Sequence, residues 1–165
     1  MVGTAAILAS YLEESLPLLA TRSEEADLAP FGDADGSLAM AIEGAIGQGN
    51  PFHDSFGYYA DGVDFRTAVA PDGWRDRLVP FAPPGSEPGR GMCLEPHDLA
   101  AAKLVAKLAA GRIKDMEFVG ALLDAALSDA ATLAERIDQL PRERVPPAYG
   151  AKVRRFVASW RDANR

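Results

Sequence analysis

The chain has 165 residues, with 17 Lys+Arg against 24 Asp+Glu and a formal net charge of −7. That length buries a core without staples, and the one cysteine, Cys93, excludes an intramolecular disulfide framework and points to a reducing interior. The acidic balance argues against non-specific DNA binding or adhesion to anionic membranes. No apolar run reaches the ~18 residues of a membrane span. The first residues, Met1 to Leu8, lack the basic start of a signal peptide, so the expected location is cytoplasmic.

Apolar residues at Ala5, Ile7, Leu8, Tyr11, Leu12, Leu16 and Leu19 recur at helical spacing. They predict a helix over 5–20, capped by Thr4, preceded by a strand stub and broken near Pro17. Residues 25–30 alternate acids with apolar residues and read as extended. Asp33 and Asp35 open a helix over 36–47, ended by Gly47-Gln48-Gly49-Asn50-Pro51. The runs 56–60 and 63–69 flank Asp61-Gly62 and predict a β-hairpin. In that register Phe56, Tyr58, Ala60, Val63, Phe65, Thr67 and Val69 face the core, while Tyr59, Asp64 and Arg66 face solvent or a cleft.

A turn at 71–74 leads to a strand over 77–81. Residues 82–91 form a loop and the best internal boundary. Helices are then expected from Pro96 to about Ala110, from Lys114 to Leu127, from Asp129 to Leu140 and over 148–163. The last turns Val153, Phe156, Val157 and Trp160 inward. Strands in one half and helices in the other give α+β: a core over 1–92 and a C-terminal helical bundle over 93–165 packed on it.

Glu25 and Asp27 stand two apart on a predicted strand and so share a face. Two such carboxylates repel unless a cation sits between them, and a divalent metal is the usual solution. Asp64, on another strand, is the candidate third ligand, with Asp61 as its alternative. The same pair also suits the solvated face of an edge strand. Gly3-Thr4 at a helix start offers backbone N–H groups to a phosphate, though a plain cap reads the same way. Lys103, Lys107, Arg112 and Lys114 reverse the local charge; they suit either a triphosphate or a solvated face. Lys103 stands out because small residues flank it and let another backbone approach. Cys93-x-x-x-His97 lacks two further ligands for zinc, and His97 is expected to hydrogen-bond locally at a helix start.

The stretch Cys93-Leu94-Glu95-Pro96-His97-Asp98-Leu99-Ala100-Ala101-Ala102-Lys103-Leu104-Val105-Ala106, followed by Arg112-x-Lys114-Asp115-x-Glu117-Phe118-Val119, resembles a family of uncharacterised bacterial nucleotidyltransferase-like proteins. These are distantly related to the AbiEii-type toxins of abortive-infection toxin–antitoxin systems. Pro51-Phe52-His53 with Phe56-Gly57-Tyr58-Tyr59, and Pro71-x-Gly73-Trp74 with Arg77-Leu78, are similar to the same family. The resemblance runs to about residue 140.

It implies a small mixed sheet of nucleotidyltransferase type, with the first strand truncated to Met1 and Val2. By the same resemblance Gly3 and Thr4, Thr4 replacing the usual serine, would hold nucleotide phosphates; Lys107 and Arg112 are further candidates for the phosphates on the local reversal of charge alone. Glu25, replacing the usual aspartate, and Asp27 would bind Mg²⁺ or Mn²⁺; the third ligand, Asp64 or Asp61, rests on the hairpin geometry alone. Lys103 would neutralise the leaving pyrophosphate, and Asp115 would orient the acceptor. The implied reaction is metal-dependent transfer of a nucleotide from an NTP to an RNA or protein hydroxyl, and the kinship to toxins implies an antitoxin partner or a homodimer. The alternative is a catalytically degenerate protein of the same fold that acts by binding. Nucleotide- and metal-dependent stabilisation separates the two.

Overall fold

The computed structural model describes residues 1–110 and 113–163, without the side chains of 106–110, 113, 114, 161 and 163. The predicted helix over 5–20 is instead three short pieces. These are 3-10 helices at Thr4–Ala9 and Glu13–Ser15 and a one-turn helix, α1, at Leu18–Thr21. Gly3, rather than Thr4, is the cap residue of the first piece, and Thr4 opens it. Pro17 explains the later break. A residue before proline is driven out of the helical region, and Leu16 is extended (φ −86°, ψ 140°).

Strand β1, Glu25–Leu28, is where the alternation placed it. Helix α2, Ser37–Ile46, opens as expected on the two aspartates: the Asp33 carboxylate accepts from the amides of Leu38 and Ala39, both at 2.9 Å, and Asp35 accepts from that of Ser37 at 3.1 Å. These contacts satisfy amides that a helix start leaves without partners. The breaker after α2 also starts a helix. Asn50 accepts from the amides of Phe52 and His53, Pro51 takes the first helical position, and α3 runs Pro51–Phe56 to a left-handed Gly57.

The predicted hairpin does not form. Phe56 ends α3, and Asp61-Gly62 lies inside strand β2, Tyr59–Gly62, which pairs in parallel with β1. Gly62 is needed for close approach rather than for a turn. A Cβ there would stand 1.9 Å from the carbonyl oxygen of Ala39, so α2 lies directly on the strand backbone. The chain then turns through a 3-10 helix, Phe65–Thr67, which overturns the face assignment made for 63–69.

Strand β3 is shorter than predicted, Val79–Phe81, because Trp74–Arg77 is a 3-10 helix. Its antiparallel partner β4, Gly91–Cys93, takes the end of the predicted loop. The first two residues join the two strand pairs. Val2 N donates to Asp27 O at 3.0 Å, Leu94 N to Met1 O at 3.2 Å, and Met1 N to Met92 O at 2.5 Å. Met1 and Val2 therefore lie between β1 and β4, with the parallel bonding pattern on the β4 side.

Helices α4 (Pro96–Ala110), α5 (Ile113–Asp124), α6 (Ala130–Asp138) and α7 (Pro147–Ala163) follow, close to their predicted bounds. Helix α4 packs against the Thr4–Ala9 helix, α5, α6 and α7. One apolar core unites both halves: Val2, Ile7 and Leu16 join Leu94, Leu99, Leu104, Phe118, Leu122, Leu133 and Val153. Each large side chain so buried contributes about 1.5–3 kcal/mol. Val157 is buried as expected, with Phe156 and Trp160 packed at the core's margin. The fold is thus α+β, with short helices also interleaved among the strands. Among the described residues no helix is long and apolar enough to cross a membrane.

His97 ties the start of α4 to α6. Its Nδ1 lies 2.6 Å from Glu95 Oε1, and its Nε2 lies 3.1 Å from both Asp129 Oδ2 and the Asp129 amide. Glu95 also accepts from the amides of His97 and Asp98, and Asp129 caps α6 through Thr132 N. The bond to Glu95 outweighs burial and raises the His97 pKa above its ordinary 6.5. Burial pushes Glu95 up, but its bonds with His97 win and hold it below 4.5. A raised histidine stabilises the fold fully below its unfolded value and loses that contribution as pH rises through the folded one. A depressed carboxylate does the reverse, losing its contribution as pH falls through its folded value. Thermal melting should therefore show the largest difference between parent and His97→Gln between pH 4.5 and 6.5, shrinking on the alkaline side. A difference that is flat from pH 5 to 9 would rule out the charged pair.

Candidate functional site

Glu25 and Asp27 do project from one face of β1, as the period of a strand requires. The parallel register sets Tyr59 beside Glu25 and Asp61 beside Asp27. The acids leave a mark on Tyr59, whose pKa is raised by burial and then by Glu25, Asp61, Asp27 and Glu24. Asp27 is further fixed by Gly3. A Cβ on Gly3 would lie 2.0 Å from Asp27 Oδ2, so only a glycine lets the carboxylate pack on this backbone. The Gly3-Thr4 helix start and the acid pair, 24 positions apart in sequence (27 − 3), are thus in contact.

Asp64 does not join them. It caps the Phe65–Thr67 turn, accepting from the amide of Arg66 at 2.6 Å, and its two oxygens hold the Arg66 guanidinium at 2.9 Å each. Those bonds lower its pKa to about 2. The sequence placed it on a strand, and the chain turns there instead. Asp61, the alternative carboxylate, occupies the place beside Asp27.

Lys103, on α4, and Asp115, in the first turn of α5, face each other at 3.7 Å. Both are largely withdrawn from solvent, with side-chain exposures of 15% and 3%. Asp115 Oδ2 is buried and has no hydrogen-bond partner among the described residues. The side chain of Lys107, on α4, and the whole of Arg112 lie outside the described residues, as does the side chain of Lys114.

A cleft of about 210 Å³ opens beside this pair, lined by Thr4, Leu19, Arg22, Ser23, Asp115, Glu117 and Phe118. It brings Thr4 and Asp115, 111 positions apart (115 − 4), to one hollow next to the Gly3–Asp27 contact. Arg22 and Ser23 were not singled out from sequence; their place two or three residues before Glu25 is the signal that would have pointed to them. Ser23 Oγ donates to Glu25 O at 3.0 Å and shapes the entry into β1.

Among the described residues no three His, Cys, Asp or Glu side chains stand close enough to form a metal cage. The adjacent Asp27 and Asp61 suit a different arrangement. Mg²⁺ commonly takes one or two carboxylates and completes its shell with water and substrate phosphates. Cys93 contributes nothing here: burial raises its thiol pKa, and it lies in the core.

No family model, curated protein or solved structure matches this chain.

Proposed function

We propose that the chain is a nucleotidyltransferase-fold protein that binds a nucleoside triphosphate with Mg²⁺ or Mn²⁺ and transfers its nucleotide to a hydroxyl acceptor on RNA or protein. One observation carries this reading: pieces scattered from Gly3 to Asp115 converge. Gly3 packs on Asp27, Thr4 shares a cleft with Asp115, and Asp115 pairs with Lys103. Asp27 and Asp61 would hold the metal, which would neutralise phosphate charge when bound. Thr4 would take a phosphate at the helix start, Lys103 would offset charge on the departing pyrophosphate, and Asp115 would orient a hydroxyl.

The test is thermal melting with each NTP, with and without Mg²⁺ or Mn²⁺. Ligand at 100 times its dissociation constant should stabilise by about 2.7 kcal/mol. In a chain of this size each kcal/mol is worth about 2–4 °C. The rise should require metal and disappear in Asp27→Ala and Lys103→Ala.

A second reading, a binding protein without catalysis, is favoured by one surface. Helix α2 buries none of its residues, leaves Met40 68% exposed, and with Pro30 borders an apolar groove of about 410 Å³ that includes Leu38, Ile42 and Ile46. Such a patch suits a protein partner, an antitoxin or a second copy. Under that reading no nucleotide shifts the melting temperature of parent or variants.

A further inference from the structure

We propose that the cleft beside Thr4 reads a sugar phosphate and makes the site selective for ribonucleotides: Arg22 and Thr4 take a phosphate, and Asp115 Oδ2 accepts a sugar hydroxyl. This rests on the nucleotide reading above and names the part of the ligand that the cleft holds.

The cleft is polar at two ends with opposite signs. Arg22, just past the end of α1, is exposed at the rim of the cleft and has no ion-pair or hydrogen-bond partner among the described residues, although the chain is strongly acidic. The hydroxyl of Thr4, on the same lining, is likewise without a partner. These groups suit an anion. Asp115 supplies the other end. Its Oδ1 faces Lys103, while Oδ2 is buried and unpaired. A buried carboxylate oxygen without a donor is costly, and a ligand hydroxyl would remove that cost. Leu19 and Phe118 give the wall between them apolar surface.

The two ends constrain the ligand together. A bare polyphosphate would satisfy Arg22 but bring negative charge toward Asp115. A neutral sugar would pair Asp115 and leave Arg22 unused. A sugar phosphate satisfies both. The volume agrees: about 210 Å³ is below the roughly 300 Å³ at which pockets begin to enclose drug-sized ligands. It suits a sugar phosphate with the base outside.

The experiment is calorimetric titration of the full chain in Mg²⁺ with ATP, 2′,3′-dideoxy-ATP and tripolyphosphate, repeated on Asp115→Ala and Arg22→Gln. Loss of one well-made hydrogen bond predicts that the parent binds ATP about tenfold more tightly than the dideoxy analogue. Asp115→Ala should bring the two nucleotides to within about twofold of each other. Arg22→Gln should weaken all three ligands about tenfold and keep the ATP preference. Circular dichroism of the ligand-free variants checks folding. Arg22 has no partner to lose, so its arm stands even if Asp115→Ala unfolds. Equal binding of ATP and its dideoxy analogue by the parent would overturn the proposal, as would tripolyphosphate binding untouched by Arg22→Gln. If ATP binds, is lost in Asp27→Ala and ignores both cleft variants, the cleft assignment falls and the nucleotide reading survives. If no phosphate ligand binds the parent, both fall.

Discussion

Asp98→Ala is expected to destabilise the fold by about 3–5 kcal/mol, the usual cost of breaking a buried ion pair from one side. That is a fall in melting temperature of about 6–20 °C in a chain of this size. Asp98 is fully buried in the first turn of α4. Both its oxygens are held by Arg77, with Nε and Nη2 each at 2.9 Å, and Arg136 Nε lies 3.2 Å from Oδ1 without hydrogen-bond geometry. Arg77 also donates to the carbonyl of Asp72 at 3.0 Å. The carboxylate thus joins the Trp74–Arg77 3-10 helix before β3 to α4 and α6. Its removal leaves two guanidinium groups, 24% and 18% exposed, facing one another without a counter-charge. Replacing all three by apolar residues should recover most of the loss, since a buried ionic group is often no better than well-packed hydrocarbon. Denaturant unfolding measures both effects. A loss below about 1 kcal/mol for Asp98→Ala, the range of exposed pairs, would mean that water reaches the triad.

That triad is not visible in sequence, because Arg77 and Arg136 lie 21 and 38 positions from Asp98 (98 − 77 and 136 − 98). The same division between local and distant causes runs through the chain. The helices from α4 onward, the Asp33 and Asp35 start of α2 and the shared face of Glu25 and Asp27 rest on caps and periodicities contained in a few neighbouring residues. They were legible for that reason. Asp61-Gly62 carries the local signature of a hairpin turn, and the glycine is instead required by the Ala39 carbonyl, from a helix some twenty residues earlier. Asn50-Pro51 carries the signal of a helix end and also begins the next helix, so Phe56 belongs to α3 rather than to a strand.

The candidate site divides in the same way. Period two put Glu25 and Asp27 on one face, but only the parallel register of β1 with β2 makes Asp61 their neighbour and leaves Asp64 to Arg66. Arg22 gains interest only because α1 and α5 place it in a cleft with Asp115.

Gly3→Ala is expected to cost about 1–3 kcal/mol, the range for forcing one extra group into a packed place. Backbone conformation gives no reason for the loss: Gly3 is extended (φ −87°, ψ −172°), a region open to alanine. The objection comes from Asp27 alone, whose Oδ2 stands 2.0 Å from the new Cβ, with Cγ at 2.9 Å. Either the carboxylate swings away or the helix start at Thr4 is pushed off β1, and both separate the groups on which the nucleotide reading depends. A double-mutant cycle isolates the contact. In an Asp27→Ala background the obstructing carboxylate is gone, so Gly3→Ala should then cost less than about 0.5 kcal/mol, leaving an interaction energy well above the additivity limit. Nucleotide- and metal-dependent stabilisation should be absent from both single variants and from the double variant, because relieving the clash restores packing without restoring the carboxylate. Stability and ligand response thus part company in the double variant. A Gly3→Ala protein that melts with the parent and keeps its nucleotide shift would show that the helix start and the acid strand do not need this close approach.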